Sequence, residues 1–333
     1  KQQKHNVFLY DANAYHVDRN IILKSINEYK PDLLGLTVYT SQLPQTISFL
    51  KDVKARFPNI VTVLGGPHPS SSEYENMLIQ NPEVDIVCQR EGEYTMHELI
   101  NAMENESGLS LIKGLAYREG STVKLNEARP FIDDLDSLPM ADWDSLPMSA
   151  YWGVSAEKKN FVNLVFSRGC KFNCIFCGQR VAMGTSVRKR SPDSIIDEIE
   201  YLYEKFGVRE LNLSDATFNV DNQWVREICD RIIKFDKSDF VWGCNLRADC
   251  MDRDTIQLMK RSGLTNIFIG DYSLFLMEKE LKGMIGLEIH TYILTKEKLF
   301  CRCKASREKG LKANTLVCPI CCGMPGAKPM LPN

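Results

Sequence analysis

Three cysteines in the middle of the sequence have the type and spacing of metal ligands. Cys170, Cys174 and Cys177 form a C-x3-C-x2-C pattern directly after an apolar segment. Thiolates bind soft metal ions, and cysteines that cluster in a reducing compartment are more often metal ligands than disulfide partners. Three thiolates on one loop can bind an iron–sulfur cluster and leave its fourth iron open to a cofactor or substrate. The spacing alone leaves two alternatives, a partial zinc site and a coincidence.

A second group of cysteines lies near the end of the sequence. Cys301 and Cys303 form one close pair, Cys318 and Cys321 form another, and 14 residues separate the two pairs. Four thiolates in two pairs suit a tetrahedral structural zinc ion, which we favour over a second iron–sulfur cluster. Such a site would organise a segment in which we predict no further helix. We interpret the isolated cysteines as small buried hydrophobic residues: Cys88, Cys229, Cys244 and Cys250.

The composition is that of an ordinary globular protein. The 333 residues are 44% apolar and 25% charged, with 41 basic and 43 acidic side chains and a net charge of −2. This length predicts about two or three domains, and the charge gives no general reason to bind nucleic acid or an anionic membrane. No apolar run approaches the ~20 residues that span a bilayer, and the N-terminus lacks the apolar core of a signal peptide. We therefore expect a cytoplasmic protein without a membrane span.

The first part of the sequence alternates apolar strands with amphipathic helices. This alternation is typical of right-handed βαβ units around a buried parallel sheet. We therefore predict a doubly wound Rossmann-like α/β domain over residues 1–110, which would bind ligands at the carboxyl ends of its strands. The predicted strands cover residues 6–11, 33–38, 61–66 and 85–88, and the predicted helices cover residues 21–29, 44–56, 71–80 and 94–103.

The rest of the sequence predicts a connector, a second α/β unit and a tail. Residues 111–126 read as a hairpin that turns at Glu119-Gly120, and residues 133–151 as an extended connector, so that hairpin and linker occupy 111–155. Residues 156–270 alternate strands and helices again, which predicts about four strands of a partial (β/α) barrel. The strands are expected at 163–166, 210–213, 241–244 and 266–269, and the helices at 192–206, 222–235 and 252–262. Residues 271–333 form a small zinc-bound β/loop tail with one strand at 284–290.

Several motifs within residues 6–270 resemble one known family. Residues 166–177 (FSRGCKFNCIFC) closely resemble the cluster loop of the radical S-adenosylmethionine (radical SAM) enzymes. Residues 190–192 (RSP), 211–218 (LNLSDATF) and 242–249 (WGCNLRAD) resemble successive barrel segments of the subgroup that carries a cobalamin-binding domain in front. Residues 31–37 (PDLLGLT), 64–69 (LGGPHP) and 90–95 (REGEYT) match recurring phrases of that domain.

The resemblance implies a set of cofactors and a type of chemistry. Cys170, Cys174 and Cys177 would bind a 4Fe-4S cluster, whose open iron would bind S-adenosylmethionine. One electron from a donor would cleave S-adenosylmethionine to a 5′-deoxyadenosyl radical, which abstracts a hydrogen from the substrate. Methyl transfer to, or rearrangement of, a small-molecule or lipid-like substrate would follow. At the barrel mouth, Asp215 and Arg247 are candidate contacts to S-adenosylmethionine or substrate, with a structural salt bridge as the alternative.

The cobalamin site is less complete in the sequence. Gly65 and Gly66 would let the backbone approach a bulky cofactor, or would only complete a tight turn, and His68 beside them would face the ligand or stabilise that turn. Many relatives carry an Asp-x-His-x-x-Gly signature whose histidine binds cobalt, but this sequence has Asp11-Ala12-Asn13 there. Cobalamin binding without such a ligand, and a domain that has lost the cofactor, both stay open.

The tail resembles a different protein. Residues 277–333 strongly resemble the N-terminal end of the B subunit of the tRNA-dependent aspartyl/glutamyl amidotransferase. This resemblance implies ATP-dependent transamidation of mischarged tRNA, with amidotransferase partner subunits or tRNA as binding partners. Glu288 and His290 match its magnesium-containing phosphorylation site, and Cys301, Cys303, Cys318 and Cys321 match its zinc site. A surface pair is the alternative for Glu288 and His290.

The junction between the two resemblances leads to three hypotheses. The radical SAM pattern stops after residue 270, and we interpret the chain as a fusion of two incomplete proteins. The first hypothesis is a radical SAM enzyme of the cobalamin subgroup, the second is a fragment of an amidotransferase subunit, and the third is a catalytically inert chimera that retains ligand binding.

Overall fold

The computed structural model describes residues 5–12, 14–70, 74–151, 160–174 and 177–270. All of these belong to the first of two units into which the chain divides, and that unit ends at Met277. The predicted strand at 284–290 and the candidate metal ligands of the tail lie outside the described residues. Along the described parts of the chain, no helix is long and apolar enough to cross a membrane.

The first sheet has five strands in sequential order. Three strands run parallel: β1 (Leu33–Thr37), β2 (Val61–Gly65) and β3 (Ile86–Cys88). The antiparallel hairpin of β4 (Leu115–Glu119) and β5 (Thr122–Leu125) extends the sheet beside β3. The continuous apolar runs form strands because this sheet is covered on both faces.

Four helices connect and cover this sheet: α1 (Arg19–Tyr29), α2 (Leu43–Arg56), α3 (Tyr74–Gln80) and α4 (Glu93–Glu104). Successive residues of a strand point to opposite faces, so Leu64 of β2 packs with α2 and α3 whereas Val63 packs with α4. The expectation of an α/β domain with helices on both faces is confirmed.

The predicted first strand is wrong. Residues 5–11 have no regular secondary structure, and the apolar side chains of Val7, Phe8 and Leu9 are 46%, 56% and 51% exposed. The carboxylate of Asp11 instead accepts the backbone N–H of Ala14 at 2.9 Å and the hydroxyl of Tyr151 at 2.8 Å, which commits this segment to a turn. The described strands therefore show none of the reversal in strand order that defines a doubly wound sheet.

An extended connector leads from the hairpin to the second sheet. It contains three short 3-10 turns, at Leu135–Ser137, Trp143–Ser145 and Met148–Ala150. The indole N–H of Trp143 donates a hydrogen bond to Glu198 at 2.8 Å, and both side chains are buried. This contact fastens the connector to the second α/β unit.

The second sheet has four parallel strands: β6 (Phe161–Leu164), β9 (Glu210–Leu213), β10 (Val241–Arg247) and β11 (Leu264–Gly270). Their order across the sheet is β11-β10-β9-β6, and a separate antiparallel pair contains β7 (Ser167–Arg168) and β8 (Arg188–Lys189). The helices are α5 (Gln179–Met183), α6 (Pro192–Phe206), α7 (Asn222–Phe235) and α8 (Arg253–Arg261). This is the four-stranded parallel α/β unit that the sequence predicts.

Local signals explain where these helices begin and end. The hydroxyl of Ser191 accepts the N–H of Ser194 at the start of α6, Pro192 occupies its first turn, and Gly207 ends it at φ +66°. One face of α6 contributes Ile195, Ile199 and Leu202 to the core with the strands. The candidate site residues Asp215 and Arg247 lie at the carboxyl ends of the strands of this sheet.

Candidate functional site

The cysteine loop follows β6 and β7 and leads into α5. Cys170 is buried, Cys174 is half-buried and Cys177 is exposed, and all three are free thiols. The backbone N–H of Cys170 donates to the carbonyl of Gly184 at 3.1 Å, and that of Cys177 donates to the carbonyl of Cys174 at 3.0 Å. The loop is thus tied at its base, and a backbone hydrogen bond joins its second and third cysteine.

The sulfur atoms are close in sequence, but they are not arranged as a finished metal site. In the part of the chain that the structure describes, no three His, Cys, Asp or Glu side chains are grouped closely enough to hold a metal ion. The donor set nevertheless fits a 4Fe-4S cluster, because it offers three free thiols on one short loop and leaves the fourth iron to a non-protein ligand. Binding would deprotonate the thiols and order them together.

Arg247, at the carboxyl end of β10, reaches this loop. Its Nη1 lies 3.9 Å from Sγ of Cys174, and its guanidinium carbon lies 3.6 Å from the ring centroid of Phe172. Asp249 accepts hydrogen bonds from Nε at 2.8 Å and Nη2 at 2.5 Å. The hydrogen bond to Asp249 raises the pKa of Arg247 above its ordinary value, so the guanidinium stays charged beside the cysteine.

Asp215, at the carboxyl end of β9, lies behind the loop. Its side chain is buried, and its two carboxylate oxygens accept the N–H of Phe166 at 2.8 Å and the hydroxyl of Ser167 at 2.5 Å. Phe166 and Ser167 lead directly into the cysteine loop. Asp215 therefore positions the segment before the loop, and a contact with S-adenosylmethionine or substrate stays a prediction.

Replacing Asp215 with Asn should change how stability depends on pH. Burial raises the pKa of Asp215 from 3.8 to about 6, so the folded state holds this proton more tightly than the unfolded state. The stabilisation is complete below about pH 4 and is lost as the pH rises to about 6, a difference of about 3 kcal/mol. Denaturant unfolding should therefore show the wild type losing about 3 kcal/mol relative to Asp215→Asn between pH 3 and pH 7. Parallel pH curves would contradict this expectation.

The predicted cobalamin-contacting residues meet at the carboxyl ends of β1 and β2. Gly66 has φ +96°, and a Cβ there would lie 2.8 Å from Thr37 Cγ2 and 3.0 Å from Val38 N. The ring Nδ1 of His68 lies 3.1 Å from the Thr40 hydroxyl, and its backbone N–H donates to Val38 at 3.1 Å. These residues thus lie at the carboxyl ends of parallel strands, the edge at which such sheets bind ligands, and their contact with cobalamin stays a prediction. Gly66 and His68 also stabilise the turn after β2, which is the structural alternative that the sequence left open for them.

A group of charged residues that was not predicted from the sequence lies between the first sheet and the cysteine loop. We name it the Glu91 cluster: Glu91, Glu93, Arg168 and Arg188. Arg188 Nη1 lies 2.8 Å from both carboxylate oxygens of Glu91, and Arg168 Nη1 lies 3.0 Å from one of them. Arg168 Nη2 also donates to Glu93 at 2.7 Å. The sequence contains one signal for this cluster: Glu91 and Glu93 in the motif at 90–95 are opposite in charge to Arg168 in the motif at 166–177.

Three regions of the chain match models of known protein families. Residues 1–100 match the family model of the B12 binding domain, and residues 164–271 match that of the radical SAM superfamily. Residues 283–333 match the GatB/GatE catalytic domain, which gives weak support to the second resemblance.

Curated relatives resemble the chain over most of its length. An uncharacterized methyltransferase of Pyrococcus horikoshii is 30% identical over 269 residues, covering 81% of this chain and 58% of the relative. The anaerobic magnesium-protoporphyrin IX monomethyl ester cyclase of Synechocystis is 30% identical over 269 residues, covering 80% of this chain and 53% of the relative. The chain thus spans about half the length of these relatives.

Solved structures share the fold. The radical S-adenosylmethionine methyltransferase TsrM from Kitasatospora setae has a TM-score of 0.64 at 17% identity, over 81% of this chain and 54% of TsrM. The cobalamin-dependent S-adenosylmethionine radical enzyme OxsB, with aqua-cobalamin bound, has a TM-score of 0.67 at 22% identity, over 81% of this chain and 39% of OxsB. The chain therefore combines a region that matches the B12 binding domain, residues 1–100, with a region that matches the radical SAM superfamily, residues 164–271.

Proposed function

We propose that this protein is a cobalamin-dependent radical SAM enzyme that transfers a methyl group to a small organic substrate. The observation that carries the proposal is the position of the cysteine loop, which the Glu91 cluster holds against the end of β3 in the B12-binding domain. Two cofactor-binding regions are thereby joined through buried contacts. The methyltransferases among the relatives support methyl transfer as the outcome.

In the radical SAM domain, Cys170, Cys174 and Cys177 would hold the 4Fe-4S cluster. The cluster, when bound, supplies the electron that cleaves S-adenosylmethionine. Arg247 places a positive charge 3.9 Å from the Cys174 sulfur, where it would offset negative charge on the bound cluster. Asp215 fixes the entry to the loop through Phe166 and Ser167.

In the first domain, the ends of β1 and β2 would hold cobalamin, which supplies methyl-carrying chemistry when bound. Gly66 keeps the chain after β2 tight against Thr37 and Val38, and His68 is oriented by Thr40. These residues form the end of the sheet that would hold the cofactor. An aqua-cobalamin-bound structure with the same fold supports this assignment.

The products of S-adenosylmethionine test the proposal. The full chain is reconstituted without oxygen with iron, sulfide and hydroxocobalamin, and then given S-adenosylmethionine, a strong reductant and candidate substrates. We expect both S-adenosylhomocysteine, which reports methyl transfer, and 5′-deoxyadenosine, which reports radical cleavage. Formation of 5′-deoxyadenosine alone would favour rearrangement over methyl transfer, and the absence of both products would contradict the proposed activity.

Gly66→Ala should weaken cobalamin binding far more than Gly65→Ala. At position 66 a Cβ meets Thr37 and Val38 at 2.8 and 3.0 Å in a left-handed conformation, whereas at position 65 its nearest neighbour is 3.8 Å away. Left-handed backbone costs a non-glycine residue about 1–2 kcal/mol, so part of the turn should shift. We expect the dissociation constant of hydroxocobalamin, measured by absorbance titration, to rise about tenfold or more for Gly66→Ala. Equal effects of the two substitutions would contradict this role of Gly66.

We further propose that residues 277–333 form a segment like the amidotransferase B subunit, which binds zinc through Cys301, Cys303, Cys318 and Cys321. The match of residues 283–333 to the GatB/GatE catalytic domain favours this second function, in which Glu288 and His290 would bind magnesium and the segment would contact partner subunits or tRNA. Zinc analysis of the purified chain should give about one ion per chain. The ion should be lost in Cys301→Ser with Cys303→Ser and kept in Cys322→Ser. A chain without zinc would contradict the assignment.

A further inference from the structure

Glu91 lies between the ligand-binding edge of the first sheet and the cysteine loop. Its side chain is 3% exposed, and that of its partner Arg188 is 5% exposed. One carboxylate oxygen accepts hydrogen bonds from Arg168 and Arg188, and the other accepts from Arg188 and from the backbone N–H of Ile132 at 2.7 Å. Both oxygens of this buried carboxylate are therefore held by two donors each.

On the side of the first sheet, hydrogen bonds link Glu91 to the turn after β2. The hydroxyl of Ser70 donates to the carbonyl of Gly66 at 2.8 Å, and the same hydroxyl accepts the backbone N–H of Arg90 at 2.8 Å. Arg90 precedes Glu91 and has φ +58°, a conformation that few non-glycine residues adopt. The backbone at Glu91 is thus attached to the turn that would contact cobalamin.

On the side of the loop, both arginines belong to the frame that carries the cysteines. Arg168 lies two residues before Cys170 and pairs with Arg188 across β7 and β8. Arg188 Nη2 donates to the carbonyl of Met183 at 2.8 Å, and the next residue, Gly184, accepts the N–H of Cys170. A displacement of either guanidinium would therefore move the start of the cysteine loop.

The charges make separation of the two sides unfavourable. Burial acts to raise the pKa of Glu91, but hydrogen bonds from Ile132, Arg188 and Arg168 outweigh it and hold the pKa below its ordinary value. The carboxylate is therefore ionised at neutral pH. Pulling the domains apart would leave a buried negative charge on one side and a buried positive charge on the other, which is strongly unfavourable.

We infer that Glu91 is a positioning residue that transmits ligand occupancy at the carboxyl edge of the B12-binding sheet to the cysteine loop of the radical SAM domain. The inference rests on the proposed function, since cobalamin is the ligand whose binding is transmitted. The path runs from the Gly66 turn through Ser70, Arg90 and Glu91 to Arg168 and Cys170, and each step along it is a hydrogen bond or a stretch of contiguous backbone.

Hydrogen–deuterium exchange of the full chain, with hydroxocobalamin as the probe and no iron present, tests this inference. In the wild type we expect hydroxocobalamin to slow exchange both in residues 61–70 and in residues 166–190, by about fivefold or more. In Glu91→Gln we expect slowing in residues 61–70 alone. Glu91→Gln keeps the shape and the hydrogen bond from Ile132 but removes the charge. A purely structural role would change exchange in residues 166–190 equally with and without hydroxocobalamin, and would overturn the inference.

A second variant and a control complete the test. Arg168→Gln removes one of the two links on the loop side while Arg188 still neutralises Glu91, so it should reduce the slowing in residues 166–190 even if Glu91→Gln does not fold. Asp239→Asn removes an exposed ion pair with Arg209 in the second unit and should leave the transmission intact. If hydroxocobalamin protects residues 61–70 but not 166–190 in the wild type, the inference fails and cobalamin binding stands. If it protects neither segment, the proposed cofactor fails as well.

Discussion

Replacing Cys170, Cys174 and Cys177 together with alanine is expected to abolish iron binding by this chain. After anaerobic reconstitution the wild type should hold about four iron atoms and four sulfides per chain, and the triple variant should hold almost none. The physical reason is that these three thiols are free and lie on one short loop, so they can bind one cluster together. Iron and acid-labile sulfide analysis, with the visible absorbance of the cluster, provides the measurement.

Cys250→Ala is the matched control for this experiment. Cys250 is a free, half-buried cysteine three residues after Arg247, close to the same loop but outside its motif. Its replacement should leave the iron content unchanged. If the triple variant kept its iron, or if Cys250→Ala lost as much, the assignment of the ligands would be wrong. Loss of S-adenosylmethionine cleavage should accompany the loss of iron, since the cluster supplies the electron.

Elements with strong local signals could be predicted from the sequence almost to the residue. The helices at 192–206 and 222–235 are observed at Pro192–Phe206 and Asn222–Phe235. Each begins at a side chain that accepts a backbone N–H, Ser191 in one and Asp221 in the other. Their apolar faces also repeat at helical spacing over several turns, which makes the pattern unambiguous.

The first predicted strand shows why a short apolar run is a weak signal. Val7, Phe8, Leu9 and Tyr10 form only four consecutive apolar residues, and a strand would need an edge of the sheet to pair with. The hydrogen bond from Tyr151 to Asp11 joins residues that are 140 positions apart. A sequence pattern that covers a few residues contains no information about such a partner, so the turn could not be predicted.

The candidate site also contains some features that could be predicted from the sequence and others that could not. The cysteine spacing and the glycine pair are local motifs, so both could be found in the sequence without knowledge of distant partners. The pairing of Glu91 with Arg168 and Arg188 joins residues 77 and 97 positions apart, and no local periodicity reports it. The role of Asp215 was also hidden, because its partners, Phe166 and Ser167, lie 49 and 48 positions away.

Replacing Gly169 with alanine is expected to be the most damaging single substitution in the cysteine loop. Gly169 has φ +89°, and a Cβ there would overlap the carbonyl oxygen of Ser186 and lie 2.9 Å from its carbonyl carbon. These are backbone atoms, so the clash can be relieved only by moving the chain between β7 and β8. The left-handed conformation and the overlap together should cost roughly 2–5 kcal/mol of unfolding free energy.

Gly178→Ala, at the other end of the same loop, separates this effect from a general intolerance of substitution. Gly178 has φ −81°, and a Cβ there would have nothing within 4 Å, so alanine should change the unfolding free energy by less than about 1 kcal/mol. Denaturant unfolding of the apoprotein measures both variants, and iron analysis after reconstitution shows whether the loop still binds the cluster. Because the strain at Gly169 lies one residue before Cys170, Gly169→Ala should lose iron as well as stability. A variant that lost stability and kept full iron would show that the cysteines do not depend on this backbone geometry.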